Sequence, residues 1–109
     1  MNLQVDVQGN GKKSVVKLSG EVDVYTASVL KEKLNPIAQE AEQLIIIDLS
    51  DVHYIDSTGL GIFIGALKTA DKSNSSLKII GANSRVKRLF EITGLNEVID
   101  INEDQREEV

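Results

Sequence analysis

The sequence predicts a single α/β domain built on a mostly parallel sheet, with an antiparallel hairpin at its N-terminus and right-handed βα crossovers behind it. Three observations carry this. Leu3, Val5 and Val7 alternate with Gln4 and Asp6 at the period of a half-buried strand. Residues 44–49 (LIIIDL) form a short, β-branched run suited to a central strand covered on both faces or nearly so. Between and after these runs, apolar residues recur at the three- and four-residue spacing of amphipathic helices, so strand and helix alternate as in a parallel sheet.

In chain order, residues 8–13 hold two glycines and an Asn suited to a tight reversal, and residues 14–19 form the second arm of the hairpin, ending at Gly20. From about Tyr25 to Glu42, Ala27, Leu30, Leu34, Ile37, Ala38 and Ala41 mark the first helix. Pro36 lies inside it, removes one donor and crowds the preceding turn, which predicts a kink or break near Asn35. After the central strand, residues 50–56 read as a polar connection. A second helix spans 58–71, with Leu60, Phe63, Ile64, Leu67 and Ala70 on its main stripe. Residues 71–76 (DKSNSS) are a loop, 77–80 a strand and 81–83 a turn. The third helix, from Ser84 to Thr93, carries Val86, Leu89 and Phe90 inward and ends at Gly94 in a left-handed cap beside Leu95. A short edge strand follows over 98–101. The expected division is a domain over 1–101 and a mobile acidic C-terminal tail over 102–109 (NEDQREEV).

A length of 109 residues suits one compact domain, and 11 Leu, 12 Ile and 11 Val supply its core in place of aromatics. The net charge of −5 gives nucleic acid and anionic membranes little reason to approach. The absence of Cys removes disulfides and thiolate chemistry, and fits a reducing, cytoplasmic setting. No uninterrupted apolar run exceeds four residues, so no membrane span or signal-peptide core is expected. One histidine, His53, leaves no multi-histidine metal cluster, and neither a metal nor a cofactor is expected.

The chemistry points to Asp56-Ser57-Thr58-Gly59-Leu60-Gly61, between the central strand and the second helix, where α/β proteins commonly place their sites. Two readings of Ser57 stand side by side. In one it caps the helix, and Gly59 and Gly61 only permit close packing. In the other it is a phosphorylatable hydroxyl at a helix end whose free N–H groups and dipole tolerate a phosphate, while about 1.5 to 2 added negative charges beside Asp56 transform any binding surface.

Other constellations are weaker. Gly59, Gly61 and Gly65 miss the dinucleotide-binding spacing by one residue and read as a packing face. Ser57, His53 and Asp51 or Asp56 are triad residue types without the nucleophile-elbow sequence. Asp23, after the second strand, reads either as a carboxylate brought near Ser57 or as a helix N-cap or first-turn residue. Arg85, Lys87 and Arg88 form a small basic cluster, read as a solvated helix face rather than a site for an acidic partner.

Three motifs together resemble the STAS domain of bacterial anti-sigma factor antagonists: Leu18-Ser-Gly-Glu-Val-Asp23, the central strand followed by Asp56-Ser-Thr-Gly-Leu-Gly61, and Arg88-Leu-Phe-Glu-Ile-Thr-Gly-Leu95. Their order and spacing cover nearly the whole chain and are most similar to the antagonists of the general stress sigma-B pathway. The resemblance implies a binding module without enzymatic activity. Its unphosphorylated form binds an anti-sigma factor that is also a serine kinase, releasing the sigma factor for transcription. Phosphorylation by that kinase blocks binding, and a metal-dependent, PP2C-type serine phosphatase restores it. Ser57 matches the family's phosphorylated serine, with Asp56 and Thr58 beside it, Asp23 an acidic position next to the site, and Gly59 part of the same switch region. Nothing in the sequence requires more than a monomer.

The alternative is a receiver-like domain phosphorylated on aspartate, which needs an acidic pair after its first parallel strand and a late lysine. Glu21 and Asp23 supply the pair only loosely, and no lysine ends the strand over 77–80. A small enzyme or nucleotide-binding domain would require turnover or ATP affinity. The start at Met1 without a membrane segment counts against a module cut from a transporter.

Overall fold

The computed structural model describes residues 2–9 and 11–102, and the side chains of these up to residue 99. Strand β1 (Leu3–Gly9) pairs antiparallel with β2 (Lys13–Val22). Helix α1 (Ala27–Gln39) leads to β3 (Leu44–Ile55), α2 (Ser57–Lys72) to β4 (Ser76–Ile80), and α3 (Ser84–Thr93) through a 3₁₀ turn at Leu95–Glu97 to β5 (Asp100–Asn102). The sheet order β1-β2-β3-β4-β5 follows the chain, and β2 through β5 run parallel.

One core explains the layering. Val16 and Leu18, Ile45, Ile47 and Leu49, and Leu77 and Ile79 are alternate residues of three neighbouring strands, so they share one sheet face. Leu30, Leu34 and Ala38 of α1, Leu60, Phe63, Ala66 and Ala70 of α2, and Val86 and Phe90 of α3 join them in the same cluster. Phe63 and Phe90 meet with ring centroids 6.3 Å apart, tying α2 to α3. All three helices therefore cover one face, and with strands added in sequence order every crossover has the same hand, the right-handed one expected of βαβ units.

The central strand is covered on both faces or nearly so, as expected, although the helices lie on one face only. Ile46 points away from the helices yet is only 1% exposed, because its register neighbours are Val15 on one side and Lys78 on the other. A long lysine stem covers apolar surface beside it.

Strand β3 is also longer than residues 44–49. Residues 50–55 continue it, with Val52 and Ile55 buried, because the end of β2 keeps pairing with it as far as Val22 opposite Ile55. The register shifts between Lys17 and Ser19 and again between Gly20 and Glu21. Gly20 makes this possible: its φ of +116° is open to glycine, and a Cβ there would collide with the Asn2 carbonyl oxygen, which accepts from the Glu21 N–H at 2.9 Å.

Helix α1 starts at Ala27, not Tyr25, and runs without a break through Pro36 to Gln39. Pro36 sits on the exposed face, where water can satisfy the carbonyl one turn back. Gly94 caps α3 at φ +79°, as its position predicts, but Leu89 is only half-buried. The last strand lies at Asp100–Asn102 rather than 98–101, so Asn102, placed in the tail from sequence, pairs with Ile80. The rest of the expected tail, 103–109, lies outside the described residues.

Candidate functional site

The parallel strands β2 and β3 end side by side, and the two segments that leave them build the site. Backbone bonds hold the segments together: the Asp56 N–H donates to the Val22 carbonyl at 3.1 Å, directly across the strand ends. Asp56 then caps α2. Its Oδ1 accepts from the Gly59 N–H at 3.0 Å, and its carbonyl receives the first helical bond from Leu60 at 3.0 Å. The cap is therefore Asp56 and not Ser57, which corrects the reading of Ser57 as a structural cap. Ser57 is the first helical residue, and it and Thr58 are exposed.

Gly59 is buried against the end of β2. A Cβ at this position would lie 2.5 Å from Val22 Cγ1, 3.0 Å from the Val22 carbonyl oxygen and 3.1 Å from Ile55 Cγ2. Only a hydrogen lets α2 approach this closely. Gly61 and Gly65 behave otherwise: both are exposed, with nothing within 4 Å of a Cβ at either one. The expected glycine packing face is thus correct for Gly59 alone, and the others lie on the solvent face that continues from Ser57.

Asp23 organises the opposite wall. Its Oδ1 accepts from the backbone N–H of Tyr25 at 2.9 Å and of Thr26 at 3.0 Å. The Thr26 hydroxyl accepts from the Asp23 N–H at 3.0 Å and donates to the Glu21 carbonyl at 2.8 Å. Thr26, rather than Asp23, is the N-cap residue of α1, and its carbonyl receives the Leu30 N–H. Asp23 is 3% exposed, and its second oxygen, Oδ2, is buried without a hydrogen-bond partner among the described residues.

Asp23 and Asp56 line one cavity of about 330 Å³ together with Glu21, Val24, Tyr25 and Tyr54. Two of the predicted site residues are thus brought together, and a third, Gly59, packs against Val22, the residue before Asp23. Ser57 and Thr58 stand at the exposed start of α2, outside the cavity lining. Three carboxylates make this surface acidic, so a phosphate on Ser57 would add charge of the same sign beside Asp56.

Sequence reading missed the apolar rim. Val24 is 62% exposed, Tyr25 75% and Tyr54 49%, and large apolar side chains this open beside a polar pocket are the usual composition of a protein-binding surface. The sequence pattern places Tyr25 at the start of a helix and Tyr54 in a connection. The available signal was the pair Val24-Tyr25 directly after Asp23, which has no place in the helical stripe. His53 is exposed and lines a groove beside α3 instead of facing Ser57's neighbours in the Asp23 cavity. Among the described residues, no group of three His, Cys, Asp or Glu is placed to hold a metal ion, and no helix is long and apolar enough to cross a membrane.

Comparison with known proteins places this geometry. A model of the STAS domain family matches residues 4–108. The anti-sigma-B factor antagonist of Bacillus subtilis (strain 168) is 49% identical over 102 residues, spanning 94% of this chain and 93% of that protein. Among solved structures, an anti-sigma factor antagonist from Mycobacterium paratuberculosis superposes with a TM-score of 0.87 at 24% identity, covering 97% of this chain and 90% of the other. The Bacillus cell fate determinant SpoIIAA in its phosphorylated form superposes with a TM-score of 0.71 at 16% identity, covering 95% and 94%.

Proposed function

This chain belongs to the STAS domain family, and from that premise we propose that it is an anti-sigma factor antagonist switched by phosphorylation of Ser57. Unphosphorylated, it binds a serine-kinase anti-sigma factor through the surface formed by Asp23, Val24, Tyr25, Tyr54 and the start of α2, and the sigma factor is released. The kinase transfers the γ-phosphoryl group of its own ATP to the Ser57 oxygen: the new P–O bond forms as the bond to ADP breaks, and the hydroxyl proton passes to the kinase. A PP2C-type phosphatase hydrolyses the phosphoserine and resets the cycle. The chain is substrate and ligand throughout, has no activity of its own, and works as a cytoplasmic monomer.

The observation that carries this reading is the division of labour at the head of α2. Because Asp56 makes the cap, the Ser57 hydroxyl is exposed and free of that structural task. Modification there leaves the fold intact, since a negative group in a first helical turn is favourable by about 0.3–1 kcal/mol. The same charge falls beside Asp56 and next to the apolar rim, where it opposes binding. A loss of about 3 kcal/mol is more than a hundredfold in affinity, ample for a switch. The receiver-like alternative loses ground for the same reason, since the strand-terminal carboxylate of Asp56 is already committed to the Gly59 N–H.

The test compares unmodified protein and Ser57→Asp as parallel baits in lysate of the native cell. The unmodified bait is expected to retain a serine-kinase anti-sigma factor and the variant to lose it, with thermal midpoints nearly equal. Ser57→Ala is expected to bind that kinase and take up no phosphate. Equal retention by both baits refutes the switch, undiminished phosphorylation of Ser57→Ala moves the site to Thr58, and acid-labile phosphate supports the aspartate reading.

A further inference from the structure

The basic cluster seen in the sequence acquires a different meaning once α3 is placed. Arg85, Arg88, Leu89 and Ile92 stand at helical positions i, i+3, i+4 and i+7, so they share one face of α3. Only part of that face reaches the core: Leu89 is half-buried and packs against it beside the buried Val86 and Phe90, while Ile92 is 70% exposed. Alongside it runs a groove of about 280 Å³ between α3 and the end of β3, closed on the strand side by His53, Tyr54 and Ile55. Its floor is aliphatic, from Ile55, Val86 and Leu89, and the two arginines rise from its edge. The same arginines also line a wider depression of about 790 Å³ at the start of α3, with Ala82, Ser84, Lys87 and Glu91.

Charge selects the occupant. Neither Arg85 nor Arg88 forms an ion pair among the described residues. On a chain of net charge −5 they are a local reversal of sign beside an open apolar groove. A solvated helix face accounts for the arginines but not for Ile92 at their side. We propose that this groove docks an acidic amphipathic helix of a partner protein, its aliphatic face against Leu89 and Ile92 and its carboxylates on Arg85 and Arg88. Helix-in-groove recognition uses this combination of spaced apolar anchors and flanking charge, and a planar guanidinium is suited to two-pronged pairing with a carboxylate. The groove is a second surface, separate from Ser57; Tyr54, which also lines the Asp23 cavity, is the residue the two share.

The test uses the full chain, labelled with ¹⁵N, and two synthetic helical peptides: one with Leu along one face and Glu on the others, and a twin with Lys at each Glu. The acidic peptide is expected to shift the amides of Arg85–Ile92 and His53–Ile55, and to bind more weakly as salt rises. The double variant Arg85→Glu/Arg88→Glu is expected to raise its Kd at least tenfold with an unchanged circular dichroism spectrum, and Ile92→Ser to raise it severalfold. Ser57→Asp is expected to leave it within twofold. Equal binding of the Lys twin, shifts centred elsewhere, or an unchanged Kd in the double variant overturns the proposal. Self-association of the free chain that the double variant abolishes overturns it in favour of a second copy as occupant.

Discussion

Replacing three glycines of one helix by alanine should give opposite signs, and the geometry states which. At Gly59 the added Cβ lies 2.5 Å from Val22 Cγ1, about 1 Å inside normal carbon–carbon separation. It also lies 3.0 Å from the Val22 carbonyl, which cannot retreat without loosening its 3.1 Å bond from the Asp56 N–H. Overpacking of this kind costs about 1–3 kcal/mol, and the helical preference of Ala over Gly returns about 0.8–1 kcal/mol. The net expectation for Gly59→Ala is a loss centred on about 1 kcal/mol within a range of about 0–2 kcal/mol, the central value being about 4–8 °C in Tm for a domain of this size. At Gly61 and Gly65 the helix is exposed and the space open, so each Gly→Ala should stabilise by about 0.5–1 kcal/mol. Urea and thermal unfolding of the three variants read the result directly. A Gly59→Ala midpoint above that of the parent would refute the close approach of α2 to the end of β2, and a destabilised Gly61→Ala would refute the open solvent face that continues from Ser57.

Three further outcomes follow from the same contacts. Asp56→Ala should lose about 1 kcal/mol as a helix cap while Ser57→Ala stays within about 0.5 kcal/mol of the parent; equal losses in urea melts would return the cap to Ser57. Asp23→Ala strips the acceptor from the Tyr25 and Thr26 N–H groups and should cost about 1–3 kcal/mol, whereas Asp23→Asn, which keeps an accepting oxygen, should lose less than half of that; matching losses would mean that the charge and not the turn matters. Pro36→Ala should stabilise by about 1–2 kcal/mol, because it restores a donor in an exposed helix interior, and a lower thermal midpoint would show that the chain needs the proline's constraint.

Period and punctuation are local properties, and they carried most of the fold. The alternation of Leu3, Val5 and Val7, the LIIIDL run, the stripe of α2 and the glycine after Thr93 each depend on neighbours a few residues away, so the chain declares them. The site motif over 56–61 was legible for the same reason, down to the exposed serine at its centre. What the sequence did not contain is how strand ends meet. Residues 50–55 look like a polar connection in isolation and become a strand because Glu21 and Val22 pair with Tyr54 and Ile55 across the sheet. That pairing brings Asp56 under the Val22 carbonyl and gives it the cap that the sequence pattern assigns to Ser57. It also turns Tyr54 and Tyr25 outward on either side of the Asp23 cavity. The sequence by itself determined which elements form and which motif, residues 56–61, marks the candidate site. Only the tertiary structure decided which of two adjacent polar residues caps the helix, which of three glycines is tightly packed, and which apolar side chains stay exposed, because each of these depends on what lies across a gap of three to four ångströms from a different part of the chain.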